Sequence, residues 1–231
     1  MSYLNFGNAS DSYHELTSSN RVRRVMSRSL SKALTGAAVI ALAGFSGVSQ
    51  ASDWLFRIGG HFIDPKSNNS PLVNVGSGES LTFDLTYHYT PHWGFELLAA
   101  TPFKHDIDLK ANGSKVATVR QLPPTLSVQY SFLPEKRLRP YVGAGLNATL
   151  FYKEKTRGAL AGSDLSLKSS FGPAVQVGLD YDVTENGFLS LDARWIDIDT
   201  RARLDGVSLG DVNIDPMTVG LSFGWRFGRS E

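Results

Sequence analysis

Residues 219–227 read VGLSFGWRF. Large apolar side chains stand at Val219, Leu221, Phe223, Trp225 and Phe227, and Gly220, Ser222, Gly224 and Arg226 fall between them. A strict period of two puts these sets on opposite faces of one β-strand, one bulky and greasy, the other small or charged. Such a strand has to bury the greasy face in something apolar.

The same period recurs along the chain. Trp54, Phe56, Ile58 and Phe62 alternate with Leu55, Arg57, Gly59 and His61; Leu81, Phe83, Leu85, Tyr87 and Tyr89 with Thr82, Asp84, Thr86 and His88. Trp93, Phe95, Leu97 and Ala99 oppose Gly94, Glu96, Leu98 and Ala100. Leu126, Val128, Tyr130 and Phe132, then Val142, Ala144, Leu146 and Leu150, carry the pattern on. Phe171, Val175, Val177, Leu179 and Tyr181, then Leu189, Leu191, Ala193 and Trp195, bring the strands to eight with the closing one. Long and short connections follow in strict turn. The short ones hold turn residues: Thr90-Pro91-His92, Pro134-Glu135-Lys136 and Glu185-Asn186-Gly187.

A meander with all its long loops at one end predicts an all-β, eight-stranded antiparallel transmembrane β-barrel, with short periplasmic turns and long external loops. The orientation follows from volume. An eight-stranded barrel is narrow and fills its interior with side chains. Gly, Ala, Ser and opposite charges fit there, whereas eight rows of Leu, Phe, Tyr and Trp would overfill it. The greasy face is therefore expected to meet lipid, with aromatics at the strand ends as interfacial girdles. A periplasmic lipocalin-like barrel, apolar inside, is the alternative.

The rest of the chain suits export. No cysteine is present, which removes disulfides, Cys-ligated metals and thiol catalysis, and the formal net charge of +1 gives no reason to expect nucleic acid. Arg21, Arg23, Arg24, Arg28 and Lys32 precede an apolar stretch at 33–45, and small residues then lead to Ala51. This reads as a secretory signal within residues 1–51, cleaved after Ala51, with Met26 as the expected true start. An uncleaved anchor helix is the competing reading. Residues 52–231 make the barrel.

Several stretches carry a family resemblance: ELLAATPFKHDI (96–107), QLPPTLSVQY (121–130), RPYVGAGLN (139–147), SDLSLKSSFG (163–172), QVGLDY (176–181) and WIDIDT (195–200). In order and spacing they resemble the OmpW family of small outer-membrane proteins, and AATPF followed by LPPT is the most specific pair. The resemblance implies residence in the bacterial outer membrane and a narrow hydrophobic channel with a side opening. It also implies passive uptake of small hydrophobic or amphipathic solutes. The alternative is a structural or surface-recognition barrel, contacting phage or host, that moves no solute. Outer-membrane lipids are the expected surroundings. The barrel-insertion machinery is expected to read the last strand at Phe227, where the extra tail at 228–231 departs from the usual terminal Phe.

Two sets of site residues follow. Asn112-Gly113 is the strongest two-residue turn signal in the 103–122 stretch; a hairpin closing there sets Pro102 opposite Pro123, beside Pro124. Proline has no N–H for a ladder, so the seam between the third and fourth strands is expected to part there, or the prolines merely end the paired region. The family narrows its channel with an inward Leu and an inward Trp. Leu98 matches the first, but Arg194 stands where the Trp would be. A lone guanidinium in a narrow lumen is costly, so Arg194 is expected to pair with Glu96, Asp192 or Asp180 and to form the channel floor with Leu98. Catalytic and metal readings are weaker. His105 with Ser114 lacks a nucleophile motif, and His61 and His88 with Asp84 lack tight ligand spacing, so neither an enzyme nor a cofactor is expected. The loop at 153–168 is a candidate for a short helix.

Overall fold

The structure, a computed structural model, describes residues 53–67 and 69–228. The signal segment, its cleavage point and the start at Met26 lie outside the described residues, as does the tail beyond Gly228. Among the described residues fourteen strands are present: β1 (Asp53–Asp64), β2 (Val73–Val75), β3 (Gly78–His88), β4 (Trp93–Ala100), β5 (Phe103–Leu109), β6 (Lys115–Leu122), β7 (Thr125–Ser131), β8 (Leu138–Thr156), β9 (Leu165–Leu167), β10 (Ser170–Asp182), β11 (Gly187–Ile196), β12 (Asp199–Leu204), β13 (Val207–Asn213) and β14 (Met217–Phe227).

Eight of them make the barrel. The order β1–β3–β4–β7–β8–β10–β11–β14 is antiparallel throughout. It closes where β14 returns to β1, from Trp54↔Phe227 to Asp64↔Met217. Closure leaves no barrel edge with bare N–H and C=O groups, the condition for β-structure in hydrocarbon. The opening stretch is this closing strand.

The long connections are more ordered than their composition implies. The third and fourth barrel strands continue outward as the hairpin β5–β6, β8 runs on beside β6 to Thr156, and β12–β13 forms a second hairpin that takes up β9. The expected helix at 153–168 is a single 3-10 turn, Gly158–Leu160. Strand character in β5 (FKHDIDL) was hidden because charged residues fill its outer face.

The faces fall as volume demands. Phe62, Leu97, Leu126, Leu146, Val177, Leu191 and Leu221 are exposed, while Arg57, His61, Asp84, Glu96, Asp180, Asp192 and Arg194 are buried in the lumen. Aromatic clusters sit at the short-turn end: Trp54 on Tyr87 at 4.8 Å, and Trp93 on Tyr130 at 4.9 Å. Large inward side chains fit because glycine lies beside them across the ladder. Gly178 pairs with Tyr141, and a Cβ there would lie 2.2 Å from the tyrosine ring. The buried apolar cluster, Ala174, Ile196, Ile198, Ala202, Val212 and Ile214, gathers at the opposite end, under the long loops.

Gly60 points outward with nothing within 4 Å of its would-be Cβ. Gly178→Val is therefore expected to destabilise the barrel by about 3 kcal/mol or more, through overpacking, whereas Gly60→Val leaves stability nearly unchanged. Urea unfolding in lipid vesicles, followed by tryptophan fluorescence, measures both.

Candidate functional site: a charged lumen beneath an apolar cavity

Alternation turns Arg57, His61, Asp84, Glu96, Asp180, Asp192 and Arg194 into a narrow lumen, where they are buried from bulk water. They answer one another. The Arg194 guanidinium donates to Asp192 Oδ1 at 2.7 Å, Glu96 Oε1 at 2.7 Å and Asp84 Oδ1 at 3.0 Å. Arg57 donates to Asp180 Oδ2 at 2.8 Å and to Thr86 Oγ1 at 3.0 Å, and lies 3.8 Å from Glu96. His61 Nε2 sits 3.1 Å from both oxygens of Asp192, and its Nδ1 is 2.7 Å from Thr82 Oγ1. In the neutral ring the proton then belongs on Nε2, because a carboxylate only accepts, and the threonine hydroxyl donates to Nδ1.

Two of the three expected partners of Arg194 are in place, Glu96 and Asp192. Asp180 is not; it is held by Arg57, with Arg139 at 3.9 Å. Asp84 takes its place. Glu96 links both guanidinium groups, so the network runs unbroken across the lumen. Leu98 is buried and faces inward as expected, opposite Asp84 on the neighbouring strand. Arg57 was the residue that alternation alone left without a role. Its ring contacts, 5.2 Å to Tyr141 and 5.4 Å to Phe188, tie the network to the packed lower lumen.

Beyond the network, away from the short turns, lies a narrow cavity of about 70 Å³. Val75, Ile107, Val119, Phe151, Leu167 and Val212 line it, with His105 and Gln121. It belongs to the collar of β2, β5, β6, β8, β9, β12 and β13. His105 Nδ1 meets the Gly76 carbonyl at 2.7 Å, and burial pushes the imidazole pKa down. Ser114, the other member of the weak catalytic candidate pair, is exposed at the β5–β6 tip. His88 stands 3.5 Å from Ser131 and His61 binds Asp192, so the two do not gather on Asp84 as metal ligands would. Among the described residues one carboxylate group could hold an ion, Asp197, Asp199 and Asp215 at the rim, with ligand atoms within 4.8 Å of each other. Burial and the two neighbouring carboxylates raise the Asp197 pKa. Lys66 pairs with Asp215, and Asn213 donates to Asp199.

The prolines require one correction. The β5–β6 ladder pairs Phe103 with Gln121 and Ile107 with Ala117, one residue off the expected register, and shifts between Ile107 and Asp108. Leu109 N donates to Ser114 O and Gly113 N to Leu109 O, so the turn spans four residues rather than Asn112-Gly113 alone. Extending the ladder one step sets Pro102 opposite Leu122, not Pro123. The gap itself spans all three prolines. Among the described residues no backbone pair joins the two strands between Leu98↔Thr125 and Phe103↔Gln121. Each flank is instead held by its outer neighbour: Thr101 N donates to Leu81 O, and Ala148 N to Pro124 O.

An eight-stranded closed barrel, apolar outside and ionic within, defines an integral outer-membrane protein. The comparisons agree. The chain belongs to the OmpW family, matched over residues 61–227. It is 39% identical over 199 residues to outer membrane protein W of Escherichia coli K12, covering 80% of this chain and 93% of that one. Its fold is similar to the crystal structure of OprG from Pseudomonas aeruginosa (TM-score 0.71, 32% identity, 77% of this chain and 97% of that one). The solid-state NMR structure of AlkL in DMPC lipid bilayers is also similar (TM-score 0.60, 25% identity, 81% and 97%). The protein resides in the bacterial outer membrane, in contact with its lipids.

Removing one member of a buried ion network strands the others. Arg194→Met is expected to cost about 3–5 kcal/mol, since it leaves Asp84, Glu96 and Asp192 short of a partner. Adding Asp84→Asn and Glu96→Gln should restore much of that loss, again read from urea unfolding in vesicles.

Proposed function

We propose that this barrel is a passive uptake channel for small hydrophobic or amphipathic compounds. Cargo enters from outside among the long loops and rests in the apolar cavity. It cannot descend, because Arg194, Glu96 and Asp192, with Leu98 above them, would have to give up their pairing to an apolar solute. The exit is sideways, into the outer leaflet, at the gap bordered by Pro102, Pro123 and Pro124. The observation that carries this reading is the stacking of three features along one axis: cavity above, unpaired patch of wall beside it, charged floor below. A wall can part there at little cost, since its prolines have no ladder bond to break. Delivery would use residues 1–51 as a removable signal, and insertion would read the strand ending at Phe227.

A second reading, surface recognition without transport, draws support from the tip of β12–β13, where Val207 is 68% exposed. An apolar tip offered to the outside suits contact with another surface.

Thr101, exposed, and Leu122, half-buried, stand on the two strands that flank the gap. A disulfide in the variant Thr101→Cys/Leu122→Cys, verified by mass, is expected to bring uptake of a panel of small hydrophobic compounds down to that of cells lacking the protein. Reduction should restore it. Uptake unchanged by the bridge contradicts the lateral exit, and equal uptake with and without the unmodified protein favours the recognition reading.

A further inference from the structure

Several buried side chains of the lumen have polar atoms without a partner, the amides of Gln129 and Gln176 among them, but among the described residues only two such side chains line the apolar cavity. His105 and Gln121 are buried, at 3% and 0% exposure, and both line the apolar cavity. They belong to adjoining strands one step out of register: Gln121 pairs with Phe103, and His105 with Val119. That places them diagonally on the same inner face, within reach of one small group. His105 donates from Nδ1 to the Gly76 carbonyl, which leaves Nε2 as a bare acceptor. Nε2 has no partner in the structure, and neither amide atom of Gln121 has one. Three polar atoms without partners in an apolar wall are expensive, each by about 1–3 kcal/mol. A pore that handled only hydrocarbon would do better with Leu and Phe at these positions.

We infer that His105 and Gln121 form a polar recognition point in the cavity for hydrophobic compounds that carry one hydroxyl group, phenols and short alcohols above all. The chemistry is complementary. A hydroxyl donates one hydrogen bond, which His105 Nε2 accepts, and accepts one, which the Gln121 amide N–H donates. The rest of such a molecule meets Val119, Phe151 and Val212. A methyl group in place of the hydroxyl fills the same space and leaves all three atoms unpaired, so the site discriminates by polarity rather than size. The inference rests on the cavity being a resting place for cargo, as proposed above.

The test compares two compounds that differ in that one group, 4-fluorophenol and 4-fluorotoluene. Each is titrated into the full barrel in lipid nanodiscs and followed by fluorine NMR, with empty nanodiscs as the baseline for partition into lipid. The barrel is expected to bind 4-fluorophenol about tenfold more tightly, the worth of one well-made neutral hydrogen bond. His105→Phe/Gln121→Leu should erase the preference while keeping or improving the binding of 4-fluorotoluene, a gain that a misfolded variant could not show. Equal binding of both compounds to the unmodified barrel overturns the polar recognition point and leaves the uptake reading standing. So does a preference that survives the double substitution. Failure of the barrel to bind either compound above the baseline overturns both.

Discussion

A peptide N–H inside a bilayer has no water to turn to, and the cost of leaving it bare is several kcal/mol. Everything else in this molecule follows from meeting that condition by closing β14 on β1. Closure with eight strands sets a narrow lumen, and a narrow lumen decides which face of each strand can point inward. Bulky apolar side chains go out to the acyl tails, where they gain by burial and need no partner. Small residues go in, and each large inward residue has a glycine or a small neighbour to lie against, as Tyr141 does beside Gly178.

Ionic side chains in the lumen are the second consequence. Arg194 on β11 reaches Glu96 on β4, which lies four strands away around the barrel, so the bond crosses the lumen and braces opposite walls. Arg57 on β1 braces toward β10 through Asp180. Such a network contributes little net stability compared with well-packed apolar side chains, but it resists any change that removes one member. It therefore suits a partition better than a passage. The apolar collar above it has the opposite character, and the change from one to the other is made in the few residues where β4 gives way to β5 and β6 to β7.

Much of the barrel could be read directly from the chain, because period-two alternation is a local signal. Residues 219–227 alone indicate strand, orientation and the need for closure. The inward parity of Leu98, Glu96, Asp192 and Arg194 is equally local. Partner choice is not. That Arg194 takes Asp84 while Asp180 goes to Arg57 depends on how strands tilt and stagger around the lumen, which spacing along the chain does not encode. The β5–β6 register slipped for a related reason: Asn112-Gly113 marks the turn, but the irregularity between Ile107 and Asp108 moves every rung by one. The collar strands are not legible in the chain because β5 is charged on its outer face and Val116 to Val119 in β6 are all buried, so neither has the pattern of a lipid-facing strand.

The central claim is the direction in which the large side chains point, and the tryptophans report it. All four in the chain lie in barrel strands and are exposed: Trp54 37%, Trp93 43%, Trp195 37% and Trp225 43%. Three sit at the short-turn end and Trp195 near the other, which places them at the two interfaces of a bilayer. Their fluorescence in vesicles of brominated phospholipid measures contact with acyl chains. Strong quenching is expected, greater with bromines near the headgroups than with bromines at the bilayer centre. Emission untouched by bromine at any depth, from a protein that stays dissolved without detergent, would contradict the account.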